Sequence, residues 1–245
     1  MDTEALFHTA TLVRGLPDTI VRQTTCCQVL TTLRRNQDGY GCGYQENPLI
    51  PVVVLDDAKD AVALADALLA GGISTAEVTF RTDAAAAAIA QMSQYSDILV
   101  GAGTVTNLEQ ARIAIDSGAK YLVMPGYDQD LVDYCQANQV PVLPGATDAS
   151  WLMKAVNSGL KYVKFFPAQA SGGLPVISAL SGPFPQIQFV PTGGISKENL
   201  AQYLAHPQVP ACGGSWIATR QLIAQGDFGE ITARAANALK IAATR

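Results

Sequence analysis

The stretch NLEQARIAIDSGAKYLVMPG, residues 107–126, contains one complete helix-and-strand unit. Asn107 stands where a helix cap accepts backbone hydrogen bonds, and Gly118 stands where a helix ends in a left-handed conformation. The apolar run KYLVM (120–124) that follows has the length and composition of a buried strand. The segment SGLKYVK (158–164) repeats the pattern of SGAKYLV (117–123). The chain is therefore predicted to repeat a helix-and-strand unit.

Short apolar runs recur about every 20 to 27 residues from residue 49 onward, with Ala-rich amphipathic stretches between them. They are LIPVVVL (49–55), ISTAEVTF (73–80), DILVGA (97–102), KYLVM (120–124), VPVLPG (140–145), KYVKFF (161–166), IQFVPT (187–192) and VPACGG (209–214). Helical crossovers make strands parallel, and eight such units are typical of a (β/α)8 TIM barrel. We predict an α/β fold with a single barrel domain over residues 48–245. An open doubly wound sheet is the alternative.

Residues 1–47 do not follow this rhythm. The segment contains TLRRNQDGYGCGY (32–44) and no regular apolar repeat. We predict an N-terminal extension that either supplies a helix closing the bottom of the barrel or is poorly ordered, and we expect no catalytic residue in it.

Composition and charge exclude several function classes. The net charge of −5 and the pI of about 4.9 argue against a nucleic-acid partner. No apolar run is long enough to cross a membrane, so no membrane partner is expected. The five cysteines form no CxxC pair, and Cys135 and Cys212 lie in apolar contexts typical of reduced thiols, which favours a cytoplasmic protein. The two histidines, His8 and His206, are not spaced from another His or Cys as the ligands of a zinc site are, so no metal is expected.

The segment KFFPA (164–168) places a lysine where an aliphatic residue is expected. Lys164 shares strand parity with Tyr162 and Phe166, so the three face the same side. A lysine inside an apolar barrel loses hydration, which disfavours its charged form, and a neutral amine is the form that attacks a ketone to give a Schiff base. The alternatives are a lysine whose amine reaches solvent at the strand end, or one that pairs with a carboxylate.

The segment EVTFRT (77–82) places three polar residues on one strand face. Glu77, Thr79 and Arg81 alternate with apolar neighbours and would line the mouth of a barrel, where active sites of this fold lie. A carboxylate suits proton transfer, and a guanidinium suits capture of a substrate carboxylate. A structural ion pair between Glu77 and Arg81 is the alternative.

Three strand ends carry glycines, in GAGT (101–104), PTGGIS (191–196) and GGS (213–215). The last two follow the seventh and eighth strands, where barrels often bind phosphate through backbone N–H groups. Ordinary tight turns are the alternative, but two such ends on the last two strands favour phosphate binding.

Taken in order, these segments resemble the 2-keto-3-deoxy-6-phosphogluconate (KDPG)/4-hydroxy-2-oxoglutarate aldolase family. The matching stretches are EVTFRT, VGAGTV, the PG at 125–126, PVLPG, KFFPA, FVPTGGIS and GGSW, which span about residues 50–217. The resemblance implies a class I aldolase, a lyase of the Entner–Doudoroff type of carbohydrate metabolism, which needs no cofactor and assembles as a homotrimer. It would cleave a small molecule, KDPG, to pyruvate and glyceraldehyde 3-phosphate.

The resemblance also implies roles for individual residues. Lys164 would be the Schiff-base lysine and Glu77 the general acid/base. Arg81 and Thr104 would bind the substrate carboxylate, and Pro125 and Phe166 would form the wall of the pocket. The residues that would bind the phosphate are Thr192, Gly193, Gly194, Gly214 and Ser215.

Two residues depart from the family pattern. Met124 stands where relatives often have a smaller residue, and Trp151 stands where an acidic residue is common. Either would reshape the pocket or its rim, so 4-hydroxy-2-oxoglutarate or another unphosphorylated 2-keto-3-deoxy acid stays open as the substrate. A phosphate-binding barrel isomerase or synthase, which needs no nucleophilic lysine, and a non-catalytic sugar-phosphate binder are the rival hypotheses.

Overall fold

A computed structural model of the chain describes residues 48–244 together with two short strands before them. These strands, β1 (Thr31–Arg34) and β2 (Gly43–Glu46), pair antiparallel, with Thr31 opposite Glu46. The rest of the predicted extension 1–47, including any helix at the barrel bottom, lies outside the described residues.

Eight parallel strands follow, and each overlaps one of the eight predicted apolar runs. They are β3 (Leu49–Val53), β4 (Thr75–Thr79), β5 (Leu99–Gly103), β6 (Leu122–Val123), β7 (Val142–Leu143), β8 (Tyr162–Phe165), β9 (Gln188–Pro191) and β10 (Cys212–Gly214). Helices fill the gaps between the strands, as the pattern predicts. They are α1 (Ala61–Ala70), α2 (Ala85–Met92), α3 (Leu108–Asp116), α4 (Gln129–Ala137), α5 (Ala149–Asn157), α6 (Gly173–Ser181), α7 (Leu200–Leu204), α8 (Arg220–Ala224) and α9 (Phe228–Ala242).

The predicted caps define where these helices begin and end. The side chains of Asn107 and Asp148 accept backbone N–H bonds at the starts of α3 and α5. Gly118 and Gly159, one residue beyond the caps of the same helices, have φ angles of +96° and +71°. Glycine adopts this left-handed conformation without steric cost, so the chain turns at once into the next strand.

The strands form two parallel sheets in which neighbours follow chain order, except that the last strand, β10, pairs with the first, β3. The larger sheet has the order β10-β3-β4-β5-β6-β7, and β8 pairs with β9 in the smaller one. Single bridges join Gly145, just after β7, to Lys164 in β8, and Thr192, just after β9, to Gly213 in β10. The predicted α/β class with helical crossovers is confirmed. The eight strands make a six-stranded sheet and a separate pair, rather than one uniformly hydrogen-bonded barrel.

Side chains on the two faces of these sheets form separate cores. The larger core lies between strands and helices, and it includes Val163 and Phe165 of β8 and Met124 after β6. The smaller core contains no helical residue and comprises Ile50, Tyr121, Val123, Leu143, Val190 and Ala211. It therefore lies on the strand face opposite the helices, which is the face that Lys164 shares with Tyr162.

None of the helices in the described part of the chain is long and apolar enough to cross a membrane.

Candidate active site

Lys164 and Glu77 meet on the face of the strands that points away from the helices. The Lys164 amine donates a hydrogen bond to Glu77 Oε1 over 3.0 Å. Both residues are almost fully buried, with 3% and 2% of their surfaces exposed. The structure therefore brings these two predicted site residues into direct contact.

The backbone explains why the carboxylate stands where it does. Glu77 in β4 is the register partner of Gly101 in β5, yet its carboxyl group lies over Gly103, two residues further along. A Cβ atom added at Gly103 would overlap that carboxyl group. Glycine at this position therefore makes the room in which the Glu77 carboxylate sits.

The ion pair between Lys164 and Glu77 decides between the structural alternatives that the sequence left open for these two residues. Lys164 does not reach solvent, and it pairs with a carboxylate, as one alternative held. That carboxylate is Glu77, while Arg81 is exposed and takes part in none of the ion pairs formed by the described residues. Removing two charges from water costs more than their attraction reliably returns. The buried Lys–Glu pair is thus weak evidence for stability, but it places an amine directly beside a carboxylate, the groups that Schiff-base formation and proton transfer use.

Phe166 borders the amine. The Lys164 Nζ atom lies 5.2 Å from the centroid of the Phe166 ring, within the range of a cation–π contact. The same ring approaches Gly193, where an added Cβ atom would stand 3.3 Å from it. Phe166 thus lies between the Lys164 amine and the first glycine of the TGG segment.

Thr104 follows β5 directly and has a φ angle of +56°. A β-branched residue rarely adopts this left-handed conformation, and such strain is concentrated at functional sites. Arg81 follows β4, the neighbouring strand, and its side chain is exposed. The two residues predicted to hold a carboxylate therefore lie at the ends of adjacent strands, beyond Glu77 and Gly103.

Pro125 lies two residues beyond Val123, so the alternation of side chains puts it on the same inward face as Tyr121 and Val123. Its carbonyl group passes so close to Gly145 that a Cβ atom there would overlap it. The Gly145 N–H also donates to the Gly126 carbonyl over 3.0 Å. Glycine at 145 thus lets the ends of β6 and β7 approach each other beside Lys164, to which Gly145 is bridged.

The two glycine segments predicted to bind phosphate are held side by side by the bridge between Thr192 and Gly213. Gly193 and Gly194 have φ angles of +95° and +79°, a conformation that favours glycine. Ser215 is exposed, whereas Gly214 is buried against Trp216. Thr192 is 7% exposed, and Gly213 leaves the space that its side chain fills.

The two departures from the family pattern lie away from the Lys164–Glu77 pair. Met124 is 2% exposed and belongs to the core between strands and helices. The Trp151 ring stacks on Tyr127 with centroids 5.8 Å apart, and Lys154 Nζ lies 4.6 Å from its centre. The Tyr127 hydroxyl is 2.8 Å from Ser158 Oγ at the end of α5, so the stack runs along that helix.

Some residues beside the Lys164–Glu77 pair were not predicted from the sequence. Gly103 and Tyr121 are the main ones, and the signal for both was strand parity. Gly101 and Gly103 alternate within GAGT, and Tyr121 precedes Val123 by two positions. No group of three or more His, Cys, Asp or Glu side chains within the described ranges could hold a metal ion.

Comparison with known proteins identifies the family. The family model of KDPG and KHG aldolases, where KHG is 4-hydroxy-2-oxoglutarate, matches residues 43–234. The chain belongs to the KDPG and KHG aldolase family. The predicted family is therefore confirmed.

Two relatives of this aldolase family illustrate the similarity. A Treponema pallidum protein named 2-dehydro-3-deoxy-phosphogluconate aldolase is 49% identical over 194 residues, which cover 79% of this chain and 92% of the relative. The KHG/KDPG aldolase of Escherichia coli K12 is 40% identical over 194 residues, covering 79% of this chain and 91% of that protein. These relatives are aldolases, which confirms the predicted lyase class.

Solved structures agree with this relationship. The KDPG aldolase of Legionella pneumophila, with pyruvate captured at low pH as a covalent carbinolamine intermediate, matches with a TM-score of 0.75 and 40% identity over 78% of this chain and 93% of that chain. The aldolase of Zymomonas mobilis ZM4 with 3-phosphoglycerate matches with a TM-score of 0.74 and 39% identity, over 78% of this chain and 90% of that chain.

Proposed function

We propose that this chain is a class I aldolase that cleaves KDPG to pyruvate and glyceraldehyde 3-phosphate through a Schiff base on Lys164. The observation that carries the proposal is the buried hydrogen bond between Lys164 Nζ and Glu77 Oε1. It gives the nucleophile and the acid/base group a direct path for a proton. A covalent carbinolamine of pyruvate in the Legionella relative supports the same chemistry.

The first half of the mechanism forms the iminium. Lys164 passes a proton along the hydrogen bond to Glu77, and the neutral amine attacks the C2 ketone of the substrate. The nitrogen gives a proton to the former carbonyl oxygen, which yields a carbinolamine. Glu77 then protonates the carbinolamine hydroxyl, directly or through a water molecule. Water leaves, and the iminium and the Glu77 carboxylate remain.

The second half breaks the C3–C4 bond. Glu77 takes the proton of the C4 hydroxyl, the electron pair of the C3–C4 bond moves into the iminium, and the aldehyde departs. The resulting enamine takes a proton at C3 from Glu77. Water hydrolyses the pyruvate iminium, which frees pyruvate and restores Lys164. Because one group accepts and returns the same proton, the cycle needs neither metal nor organic cofactor.

Two further groups of residues orient the substrate. Arg81 and Thr104, at the ends of neighbouring strands, hold the pyruvyl carboxylate through a guanidinium and a hydroxyl group. Pro125 and Phe166 wall the reacting carbons. The distal phosphate is bound by backbone N–H groups and hydroxyls of the two glycine segments, namely Thr192, Gly193, Gly194, Gly214 and Ser215. The Zymomonas relative with 3-phosphoglycerate supports a site for a phosphorylated carboxylic acid.

A second candidate substrate is 4-hydroxy-2-oxoglutarate, because the Escherichia coli relative carries both substrates in its name. The same Lys164 and Glu77 chemistry would serve it, but its distal group is a carboxylate. Comparing kcat/KM on the two aldols decides which substrate the chain prefers.

The assembly and location also belong to this proposal. We propose a closed (β/α)8 barrel over residues 48–245, which the bridges Gly145–Lys164 and Thr192–Gly213 support at the two junctions between the sheets. We propose a homotrimer from the family relationship, and sedimentation at micromolar concentration tests it, with a monomer mass as the contrary result. A cytoplasmic location is supported by the free, buried thiols of Cys135 and Cys212.

Borohydride reduction in the presence of pyruvate tests the function directly. A Schiff-base aldolase is inactivated and gains the mass of a reduced pyruvyl adduct on Lys164. An isomerase or synthase that uses the same phosphate segments gains no adduct. Absence of both the adduct and aldol turnover would favour the non-catalytic sugar-phosphate binder.

A further inference from the structure

Tyr121 occupies the space next to the Glu77 carboxylate. The side chain is 1% exposed and belongs to the core on the strand face opposite the helices. The hydroxyl end of its ring lies over Gly101, where a Cβ atom would overlap it. Gly101 and Gly103 share one face of β5 and are about 7 Å apart along the strand. The Tyr121 ring over Gly101 and the Glu77 carboxyl group over Gly103 therefore occupy successive layers.

The register of β4 and β5 shows what the ring excludes. Glu77 is paired with Gly101, so the space over Gly101 is the nearest alternative position for its carboxyl group. The Tyr121 ring fills that space, and the carboxyl group lies over Gly103, where it accepts the bond from Lys164. Without the ring, the carboxyl group could rotate down toward Gly101 and lose this bond.

A chain of hydrogen bonds fixes the ring. The Tyr121 hydroxyl lies 3.1 Å from Thr75 Oγ1, and Thr75 Oγ1 donates to the Leu99 carbonyl over 2.9 Å. Because Thr75 has a single hydroxyl proton and gives it to Leu99, Tyr121 must be the donor to Thr75. The hydrogen bonds from Tyr121 to Thr75 and from Thr75 to Leu99 therefore hold the ring in one orientation.

We infer that Tyr121 is a positioning residue for the proposed aldol cleavage, whose ring holds the Glu77 carboxylate on the side of Lys164. The inference rests on the proposed function of Glu77 and extends it to a residue that touches no substrate. Displacing a reacting group by about 1 Å can cost on the order of 10²-fold in rate. Support of the carboxylate therefore matters for turnover even though Tyr121 exchanges no proton.

The protonation state of Tyr121 agrees with this role. Burial raises the pKa of its hydroxyl well above the ordinary value, and the nearby Glu77 carboxylate adds to the rise, against the opposing effect of the bond to Thr75. The hydroxyl stays protonated at the pH of catalysis, so it acts as a fixed donor to Thr75 and not as a base.

The test compares Tyr121→Leu with Tyr121→Phe and with a matched core control. Tyr121→Leu removes the ring, and we expect kcat to fall by about 10- to 100-fold. The kcat–pH profile should change as well, because the Glu77 carboxylate is no longer held beside the Lys164 amine. Tyr121→Phe keeps the ring and should recover most of kcat. Phe189→Leu removes a ring from the other core, where Phe189 is fully buried, and should lower stability without moving the pH profile.

Three outcomes decide the inference. If Tyr121→Leu lowers kcat no more than Phe189→Leu does and leaves the pH profile unchanged, Tyr121 is only a core residue and the inference is overturned. If Tyr121→Leu does not fold, Tyr121→Met, whose longer and more flexible side chain adapts to the space without an aromatic ring, is judged by the same two readouts. Borohydride trapping with pyruvate separates the inference from the proposed function. Failure of wild type to be trapped rejects the Schiff base, whereas trapping of wild type and Tyr121→Leu alike leaves Tyr121 to be judged by kcat.

Discussion

The Lys164 amine and Glu77 Oε1 are 3.0 Å apart, although the two residues are separated by 87 positions in the chain. Each belongs to a strand, β8 and β4 respectively, and each is almost fully buried. Removing one member of such a pair leaves an uncompensated buried charge, which typically costs about 3–5 kcal/mol. Variants at either position therefore need a check of folding beside each activity measurement.

Lys164→Met should abolish aldol turnover and borohydride trapping together, because no amine remains to form the iminium. Circular dichroism checks that the variant folds. Lys161→Met is the matched control, since Lys161 lies three positions earlier and is exposed. It should keep both activities. An adduct on the Lys164→Met protein, located by mass spectrometry, would assign the Schiff base to another lysine.

Glu77→Gln should separate turnover from trapping. The amide keeps the shape and part of the hydrogen bonding, but it cannot take up and return a proton. General acid/base groups contribute about 10²–10⁴-fold to rate, so kcat should fall by roughly that factor. Trapping with pyruvate should survive at a lower rate, because the nucleophile is intact.

Two results would contradict this division of labour between Lys164 and Glu77. Unchanged turnover in Glu77→Gln would make Glu77 a structural partner of Lys164 and require another base. Complete loss of trapping, with the fold intact, would make Glu77 essential for Schiff-base formation itself.

Strand parity explains how much of the site could be predicted from the sequence. A period of two places Lys164 with Tyr162 on one face and Phe165 on the other, and the two cores divide in this way. The same rule applied to KYLVM puts Met124 with Leu122, facing the helices, so its distance from the pair was predictable. The helix caps were also predictable, because Asn107 and Gly118 act through local backbone geometry.

Contacts between distant segments could not be predicted in this way. Parity puts Glu77 on the inner face but does not tell whether its carboxylate lies over Gly101 or Gly103. The space over Gly101 is filled by the ring of Tyr121, the residue just before β6, and parity within β4 and β5 does not show this. Trp151 could not be placed either, because its position depends on stacking with Tyr127. The interrupted pairing of the sheets at Gly145 and Thr192 is likewise a property of the assembled strands.

Gly103→Ala tests whether the space over Gly103 is what holds the carboxylate. The added methyl group overlaps Glu77, so either the carboxyl group or the strand must move, and overpacking of this kind typically costs about 1–3 kcal/mol. We expect kcat to fall by at least about 10-fold, since the base is displaced. Gly229→Ala, where the added methyl group meets no atom outside its own helix within 4 Å, should leave kcat unchanged. Equal kcat in both variants would show that Glu77 tolerates displacement.

Asp56 and Arg220 form an exposed ion pair whose effect should depend on pH and salt. Arg220 Nε donates to Asp56 Oδ2 over 2.6 Å, and the hydrogen bond to Arg220 lowers the pKa of Asp56. A lowered folded-state pKa stabilises the protein above the ordinary carboxyl pKa of about 4, and this contribution disappears as the pH falls through the folded-state value. Urea unfolding of wild type and Asp56→Asn should therefore differ slightly at pH 7 and converge below about pH 4.

Variants of Arg220, measured by the same urea unfolding, are the control for Asp56→Asn. Arg220→Gln should reproduce the effect of Asp56→Asn, and the double variant should be no less stable than either single one. Salt at 1 M should reduce the difference, because screening acts on exposed charges. A difference that does not decrease as the pH is lowered from 7 through the acid range would come from something other than this ion pair.

Ser215→Ala tests the proposed phosphate site by comparing two substrates. Ser215 is exposed just beyond β10, and its hydroxyl has no hydrogen-bond partner among the described residues. A hydrogen bond to a charged group contributes about 1.5–3 kcal/mol, so kcat/KM on KDPG should fall by about 10- to 100-fold, mainly through KM. The value on 4-hydroxy-2-oxoglutarate and the rate of pyruvate trapping should change far less, because neither involves a phosphate. Ser150→Ala, at an exposed serine in α5, is the control for loss of a surface hydroxyl. Equal losses of kcat/KM on the two aldols would mean that Ser215 supports the structure of the segment and not phosphate binding. An unchanged kcat/KM on KDPG would show that the phosphate does not bind at Ser215.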